Sequence, residues 1–426
     1  MTTRPAPSAH LTWPEVNARR LARNHLSEPA TAHDPAQIAS AILGAHAQVM
    51  SAGEVSLATR MAAGTTRTDV QEALWTGHTL VKTYGPRGTV HLLPTRELPF
   101  WSGALSAIPQ PSSVTSKGRD GAPLLTPDRF TAVVEAIGAA LADAELTVDE
   151  LTEAVAERAG AWAAEPVMEA FQDGWPRWRA ATAHAAHAGA LCFGHNRGRK
   201  VTYTNPHRWL PGFRPLAPET ALPQLVRRYL HAYGPARPAH FAKWTAAPVG
   251  WANRLFASLE EAGELERVTM AGLPAGSAEG DTGVAWRVAG DGAGAGSGSG
   301  DGPGFGAAGV EAEAPVPVPA VRLLPYFDAF GIACQPRELL FPGPAYQRAL
   351  SAGQAGNYPV LLLDGVAGGV WHQRRSGRRL HLTVEPLHPL TPAQRSALEV
   401  EAERLAHIQE ARVELTVGKV TVGPHA

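Results

Sequence analysis

The chain has 426 residues, enough for about three domains at roughly 150 residues each. Hydrophobic residues make up 44% and charged residues 18%, the balance of a globular protein rather than a disordered one. With 38 Lys and Arg against 39 Asp and Glu, the net charge of -1 excludes a chain-wide basic footprint for nucleic acid; 2 cysteines exclude a disulfide framework and a four-thiolate zinc site.

The opening MTTRPAPSAH lacks the apolar core of a signal peptide, and no apolar run approaches the roughly 20 residues of a bilayer span. A cytoplasmic protein in a reducing compartment, with no membrane partner, is the expectation. Thr12-Trp13-Pro14-Glu15 starts a helix, with Thr12 as cap and Glu15 three residues on. Asp34-Pro35 starts a second: Asp caps, and proline fits the first helical position, where its missing N–H has no partner to lose. Ile38, Ile42 and Leu43 follow at helical spacing, and Gly44 interrupts before His46. A helical stretch carries Asp69 to Trp75. Two short strands, 80–84 and 88–92, flank Gly85-Pro86-Arg87. Helix, helix and two strands is the order of a winged helix.

The pattern recurs. Residues 126–160 are helical, with start signals at Thr126-Pro127-Asp128 and Thr147-Val148-Asp149-Glu150. A third helix, about 174–189, runs into 191–194, a hairpin tip at Asn196-Arg197-Gly198-Arg199 and a strand at 200–204. A third copy starts near Pro218, with helices at 222–233, 239–244 and 249–261 and strands at 264–270 and 284–288. Residues 289–320, rich first in Gly and then in Pro and Val, bury too little apolar surface to offset their ordering entropy and are predicted to be a flexible insertion. Strands follow at 321–324, 360–363, 369–372, 380–384 and 411–417, with one helix at 392–408. The expected fold class is α+β, with three tandem winged-helix domains followed by a β-rich C-terminal domain. The expected units are 1–122, 123–217 and 218–288, the insertion at 289–320, and 321–426 carrying a basic hairpin.

His46-Ala47-Gln48 is the most informative tripeptide. In a regular helix the two polar side chains would point about 200° apart; in an extended segment they share a face, and Gly44 permits such a break. By spacing alone, two polar residues at a helix end is the better reading. His372-Gln373-Arg374-Arg375-Ser376-Gly377-Arg378-Arg379 reads as a hairpin with four arginines at its tip, suited to phosphate clamping or simply solvated. Arg197, Arg199 and Lys200 form a smaller patch on the second wing, suited equally to DNA contact or plain surface. Arg227 and Arg228 lie within a helix, and at least one is expected to be structural. His184, His187, Cys192 and His195 have the look of a zinc quartet, but a packed helix with a buried cysteine is favoured, so no metal is expected. Trp175, Trp178, Trp244 and Trp251 are expected in the core.

The stretch from Ile42 to Gln48 resembles the Leu-x-Gly-Leu-Gln-Ala-Gln segment of AlkZ-like (YcaQ-related) winged-helix bacterial DNA glycosylases. Further blocks match in the same order: Tyr84-Gly85-Pro86-Arg87-Gly88-Thr89-Val90-His91-Leu92, the run from Arg228 to Trp244, Leu323-Leu324-Pro325-Tyr326-Phe327-Asp328, and Asp364 to Trp371. The resemblance implies three winged helices, a β-rich end, and excision of alkylated purines without a cofactor. The family motif is Gln-x-Gln, or Gln-x-Asp in some relatives; here His46 takes the first position and Gln48 the second. His240 stands where the third block usually has Asp.

Carried over residue by residue, His46 and Gln48 are the expected catalytic pair, with His46 orienting and partly deprotonating a water and Gln48 holding it. Arg374, Arg375, Arg378, Arg379, Arg199 and Lys200 are expected to bind DNA. Arg87, His91 and Asp328 are expected to support the cleft. The expected function is a monofunctional glycosylase for bulky N7-alkylguanine adducts, cross-links among them, in self-resistance to a DNA-alkylating natural product. It would act as a monomer on double-stranded DNA. The alternative is a non-catalytic winged-helix transcriptional regulator.

Overall fold

The computed structural model describes residues 7, 9–109, 117–118, 121–169, 174–272, 283–291 and 318–423. β1 (His10–Leu11) leads into α1 (Trp13–Arg23), whose capping box is the expected one: the Thr12 N–H donates to Glu15 at 2.7 Å, and the Glu15 N–H donates back to the Thr12 hydroxyl. α2 (Pro35–Ala41) is capped by Asp34, which accepts from the Ala36 N–H at 2.9 Å. It ends in a left-handed reversal at Leu43 (φ 55) and Gly44 (φ 93), with the Gly44 N–H donating to the Ala39 carbonyl at 2.7 Å. Glycine is needed there twice over: for its φ, and because a Cβ would sit 2.6 Å from a Leu93 methyl. The reversal delivers Ala45–His46 as the extended strand β2.

α3 (Met50–Ala58), α4 (Arg67–Trp75), β3 (Leu80–Tyr84), β4 (Val90–Pro94) and α5 (Leu98–Ala107) complete the first unit. Its sheet runs β2-β4-β3, antiparallel throughout, with His46 opposite His91. β4 starts two residues later than predicted because Pro86–Gly88 coils into a 3-10 turn with Arg87 left-handed at φ 63.

α6 (Pro127–Leu141), β5 (Leu146–Thr147), α7 (Val148–Ala159), α8 (Thr182–His187), β6 (Cys192–Phe193) and β7 (Thr202–Thr204) form a second sheet, β5-β7-β6, around a core of its own that includes Val133, Ile137, Leu151, Trp178 and Tyr203. The predicted helix at 174–189 is α-helical only from Thr182; residues before it take a 3-10 turn. Trp175 corrects the core expectation: it is 44% exposed, because its backbone pairs with Met168 instead of entering a helix, and the Arg179 guanidinium lies 4.2 Å from its ring.

α9 (Pro218–Tyr233), α10 (Pro238–Thr245), α11 (Val249–Glu261), β8 (Leu265–Met270) and β9 (Val284–Val288) form the third unit. Its sheet order is β1-β8-β9, so the N-terminal arm joins it in parallel with β8. Arg227 pairs with Glu264 and Arg228 with Glu97, so both helix arginines are structural. Of the predicted insertion, residues 292–317 lie outside the described residues.

β10 (Val321–Leu324), α12 (Ala329–Ala333), α13 (Arg337–Leu340), α14 (Pro344–Arg348), β11 (Val360–Leu363), β12 (Val366–Ser376), β13 (Arg379–Pro386), α15 (Pro392–Ile408) and β14 (Arg412–Val417) close the chain. The five strands lie in the order β10 to β14, and α15 packs across β10 and β14. β12 and β13 run well past the predicted strands, making a long ribbon. The apolar core of this sheet is continuous with that of the first and third units. The molecule is a mixed α+β protein. Among the described residues no helix is long and apolar enough to cross a membrane.

Candidate active site

The β2–β4 pairing sets the His46 ring against His91, with centroids 4.0 Å apart and planes tilted by 45°. His46 is 4% exposed, whereas the chain bends at Gln48 and leaves its carboxamide in solvent, without a hydrogen bond to a described residue. The imidazole therefore sits at depth and the carboxamide at the surface of one short segment. α3 is packed directly on that segment: a Cβ on Gly53 would lie 2.7 Å from the His46 carbonyl oxygen.

Arg87 fixes the state of His46. One guanidinium nitrogen lies 3.3 Å from His46 Nε2 and the other donates to the Trp244 carbonyl at 3.1 Å. A guanidinium only donates, so Nε2 is the acceptor and the ring proton sits on Nδ1. Burial, then the neighbouring His91 and Arg87, holds the His46 pKa well below the usual histidine range. His91 donates from Nδ1 to the Thr89 carbonyl at 2.7 Å, and burial pushes its pKa down to about 3. Both rings are neutral at physiological pH. The expected proton-accepting role of His46 does not fit this arrangement, because its lone pair is already occupied; the ring offers a donor at Nδ1 instead.

Asp328 lies behind the site. It accepts from both terminal nitrogens of Arg60, at 2.8 and 2.7 Å, and from the Ser56 hydroxyl at 2.7 Å, all buried. Ser56 is on α3 and Arg60 just beyond it, so this pair ties the helix that follows Gln48 to the C-terminal unit. Neither Arg60 nor Ser56 stands out in the sequence, since their partner is 268 or more residues away. His240 acts in place of the usual acid as a helix cap: its Nδ1 accepts from the Arg237 N–H at 3.2 Å, and burial keeps it neutral, its pKa pushed down to about 3.

The ribbon tip carries Arg374, Arg375, Arg378 and Arg379, all exposed. Arg375 is tied to the Gln409 and Gly377 carbonyls and Arg379 to Glu414, which leaves Arg374 and Arg378 without side-chain partners among the described residues. Lys200 pairs with Asp149 at 2.8 Å and Arg197 with Glu150 at 2.9 Å, so acids in the first turn of α7 offset this patch, and among the described residues Arg199 is its unpaired member. Cys192 is wholly buried in β6. Among the described residues no three His, Cys, Asp or Glu side chains gather closely enough to hold a metal.

The solved structure of the Streptomyces sahachiroi DNA glycosylase AlkZ is similar to this fold with a TM-score of 0.71, over 96% of this chain and 100% of that one, at 22% identity. At that identity the likeness is one of fold alone. A curated relative, the "Interstrand DNA cross-link repair glycosylase" of Streptomyces sahachiroi, is 32% identical over 240 residues, 55% of this chain and 60% of that protein. The family model "DNA glycosylase AlkZ-like" matches residues 39–408, and the chain belongs to that family.

Proposed function

We propose that the protein is a monofunctional DNA glycosylase that hydrolyses the N-glycosidic bond of bulky N7-alkylguanine adducts in duplex DNA, cross-linking adducts included, in self-resistance to a DNA-alkylating natural product. The observation that carries the reading is the neutral, buried His46 two residues from the exposed carboxamide of Gln48. Alkylation at N7 makes the base cationic, so it leaves without strong protonation. As the bond breaks, positive charge moves to the sugar as an oxocarbenium-like ion. A charged imidazole would oppose that ion; a neutral one and an amide dipole do not. Gln48 Oε1 accepts from a water and directs it at C1′, while the Nδ1–H of His46 holds the deoxyribose; the C1′–O bond forms as the C1′–N9 bond breaks, the base leaves neutral, and the water's proton passes to the solvent at the exposed Gln48. Water is the nucleophile, so no lysine adduct forms and the strand stays intact. The three small sheets with their helices support a reading as three winged helices, and the name of the curated relative supports cross-links among the substrates.

Incubation with duplexes bearing defined N7-guanine adducts is expected to release the modified base and leave an alkali-labile but unbroken strand. His46→Ala and Gln48→Ala are each expected to lower release by about 10²-fold or more, the scale of a lost transition-state dipole. Losses of about 10-fold or less for both would overturn the site. Tight duplex binding with every base left attached would favour a regulator.

The ribbon tip gives a separate expectation. Each lost phosphate contact flattens the log–log salt dependence of duplex binding by about one unit. Replacing Arg374 and Arg378 together by alanine should flatten it by about two, and Arg375 and Arg379 should add less, since their side chains have partners within the protein. An unchanged slope after all four replacements removes the ribbon from the interface.

A further inference from the structure

Arg87 lies beside His46, and two more cations come near it from separate parts of the chain, Arg337 being within electrostatic reach of both Arg87 and Lys243. Arg87 lies on the 3-10 turn Pro86–Gly88, Lys243 on α10 and Arg337 at the start of α13. α10 packs against that turn and against α12. Arg87 is bonded to the carbonyl of Trp244, the residue after Lys243. Arg337 donates to the carbonyls of Gly331 and Ile332 in α12, at 2.8 and 3.0 Å, and its Nε is buried with no partner. Among the described residues the hydrogen-bond partners of Arg87 and Arg337 are all neutral. Glu338 is within electrostatic reach of Lys243 and Arg337, yet among the described residues none of the three cations forms an ion pair.

Burial lowers the pKa of all three, and repulsion from Arg337 adds to this at Arg87 and Lys243. Partly desolvated, uncompensated positive charge costs free energy that an anion from outside would recover. Arg87 uses two of its five N–H donors on Trp244 and His46, leaving three for such a ligand. Lys243 is exposed and can reach out from the protein surface.

We propose that Arg87, Lys243 and Arg337 form the seat of one DNA phosphodiester, the phosphate that flanks the sugar under attack. The seat rests on the glycosylase reading and deepens it. Because Arg87 also holds His46, a phosphate bound there fixes the distance between the backbone and the catalytic segment. A single contact thus sets the register of C1′ against His46 and Gln48. Lys243 supplies charge at the rim, and Arg337 supplies it from beneath.

Lys243 carries the test, because it is exposed and its side chain supports no other element. Binding of an undamaged duplex is followed across a salt series for the full protein, Lys243→Ala and Lys243→Arg. The alanine variant is expected to flatten the log–log slope by about one unit and the arginine variant to restore it. Methylphosphonate linkages, which carry no charge, are then placed one at a time around an N7-adducted guanine. At one position the linkage should weaken binding by wild type and cause a clearly smaller loss with Lys243→Ala, since only Arg87 and Arg337 then remain to meet that phosphate. An unchanged slope, or additive losses at every position, overturns the seat while leaving the glycosylase reading intact. Failure of the wild-type protein to bind any duplex overturns that reading, and the seat with it.

Discussion

Asp328→Ala is expected to destabilise the protein by about 3–5 kcal/mol, read as a lower urea midpoint at unchanged slope. The cause is the guanidinium that stays behind. Arg60 is fully buried; besides Asp328 it bonds to the carbonyls of Asn24 and Ser56 and to the Ser56 hydroxyl. Without the carboxylate its charge has no counter-ion in the core. Asp328 also caps α12 through the Phe330 N–H at 3.0 Å, so that helix loses its first partner as well. Asp328→Asn keeps an acceptor and the cap but not the charge, and should cost most of the same amount. The double replacement Arg60→Met with Asp328→Leu should recover much of the loss, since it leaves no orphan charge. A loss below about 1 kcal/mol for Asp328→Ala would mean that water reaches the pair. Ser56 and Arg60 lie at the end of α3 that is remote from Gln48, so looseness there should also appear as lower excision at temperatures where the fold persists.

How much of this was legible depended on the range of each interaction. Local rules located what they govern: the Thr12 box, the Asp34 cap, the strands Val321–Leu324 and Val360–Leu363 and the helix Pro392–Ile408 coincide with their predicted bounds. Gly44 signalled the break that makes His46 extended. Partners distant in sequence were not legible. Nothing local tells that β1 will pair with β8, or that Arg60 will meet a carboxylate 268 residues on. The neutral state of His46 likewise arises from burial first and then from His91 and Arg87, surroundings that the fold assembles from later in the chain. Lys243 sits inside a recognisable block but stands next to Trp244 as an ordinary helix lysine, and Arg337 follows a proline like any first-turn residue; only their convergence singles them out. His240 had one usable signal, its position three residues after the cap residue Arg237.

Stability is expected to fall steeply as pH drops from about 7 to 5, because four histidines are held neutral in the fold. Burial is the main cause in each: His91 and His240 are pushed down to about 3 and His187 to about 4, with His46 also far below its usual range. Above pH ~7 these rings are neutral in both folded and unfolded chains and contribute no pH dependence. Below ~6.5 the unfolded chain takes up protons that the folded one refuses, so acid favours unfolding. At pH 5 His91, His187 and His240 each cost on the order of 2 kcal/mol, about 6 together, and His46 adds to the loss in the same direction, against the ~5–15 kcal/mol that holds a typical domain together. Urea midpoints across pH check this. His240→Asn keeps an acceptor for the Arg237 N–H and should recover about 2 kcal/mol at pH 5 with little gain at pH 7.5. Midpoints that stay level down to pH 5 would mean that these rings titrate normally and stand in water. The same depression removes a titration near 6.5 from the proposed catalytic segment. Base release measured above pH 6 should therefore show no rise or fall assignable to His46, as its proposed role as an uncharged group beside the sugar requires.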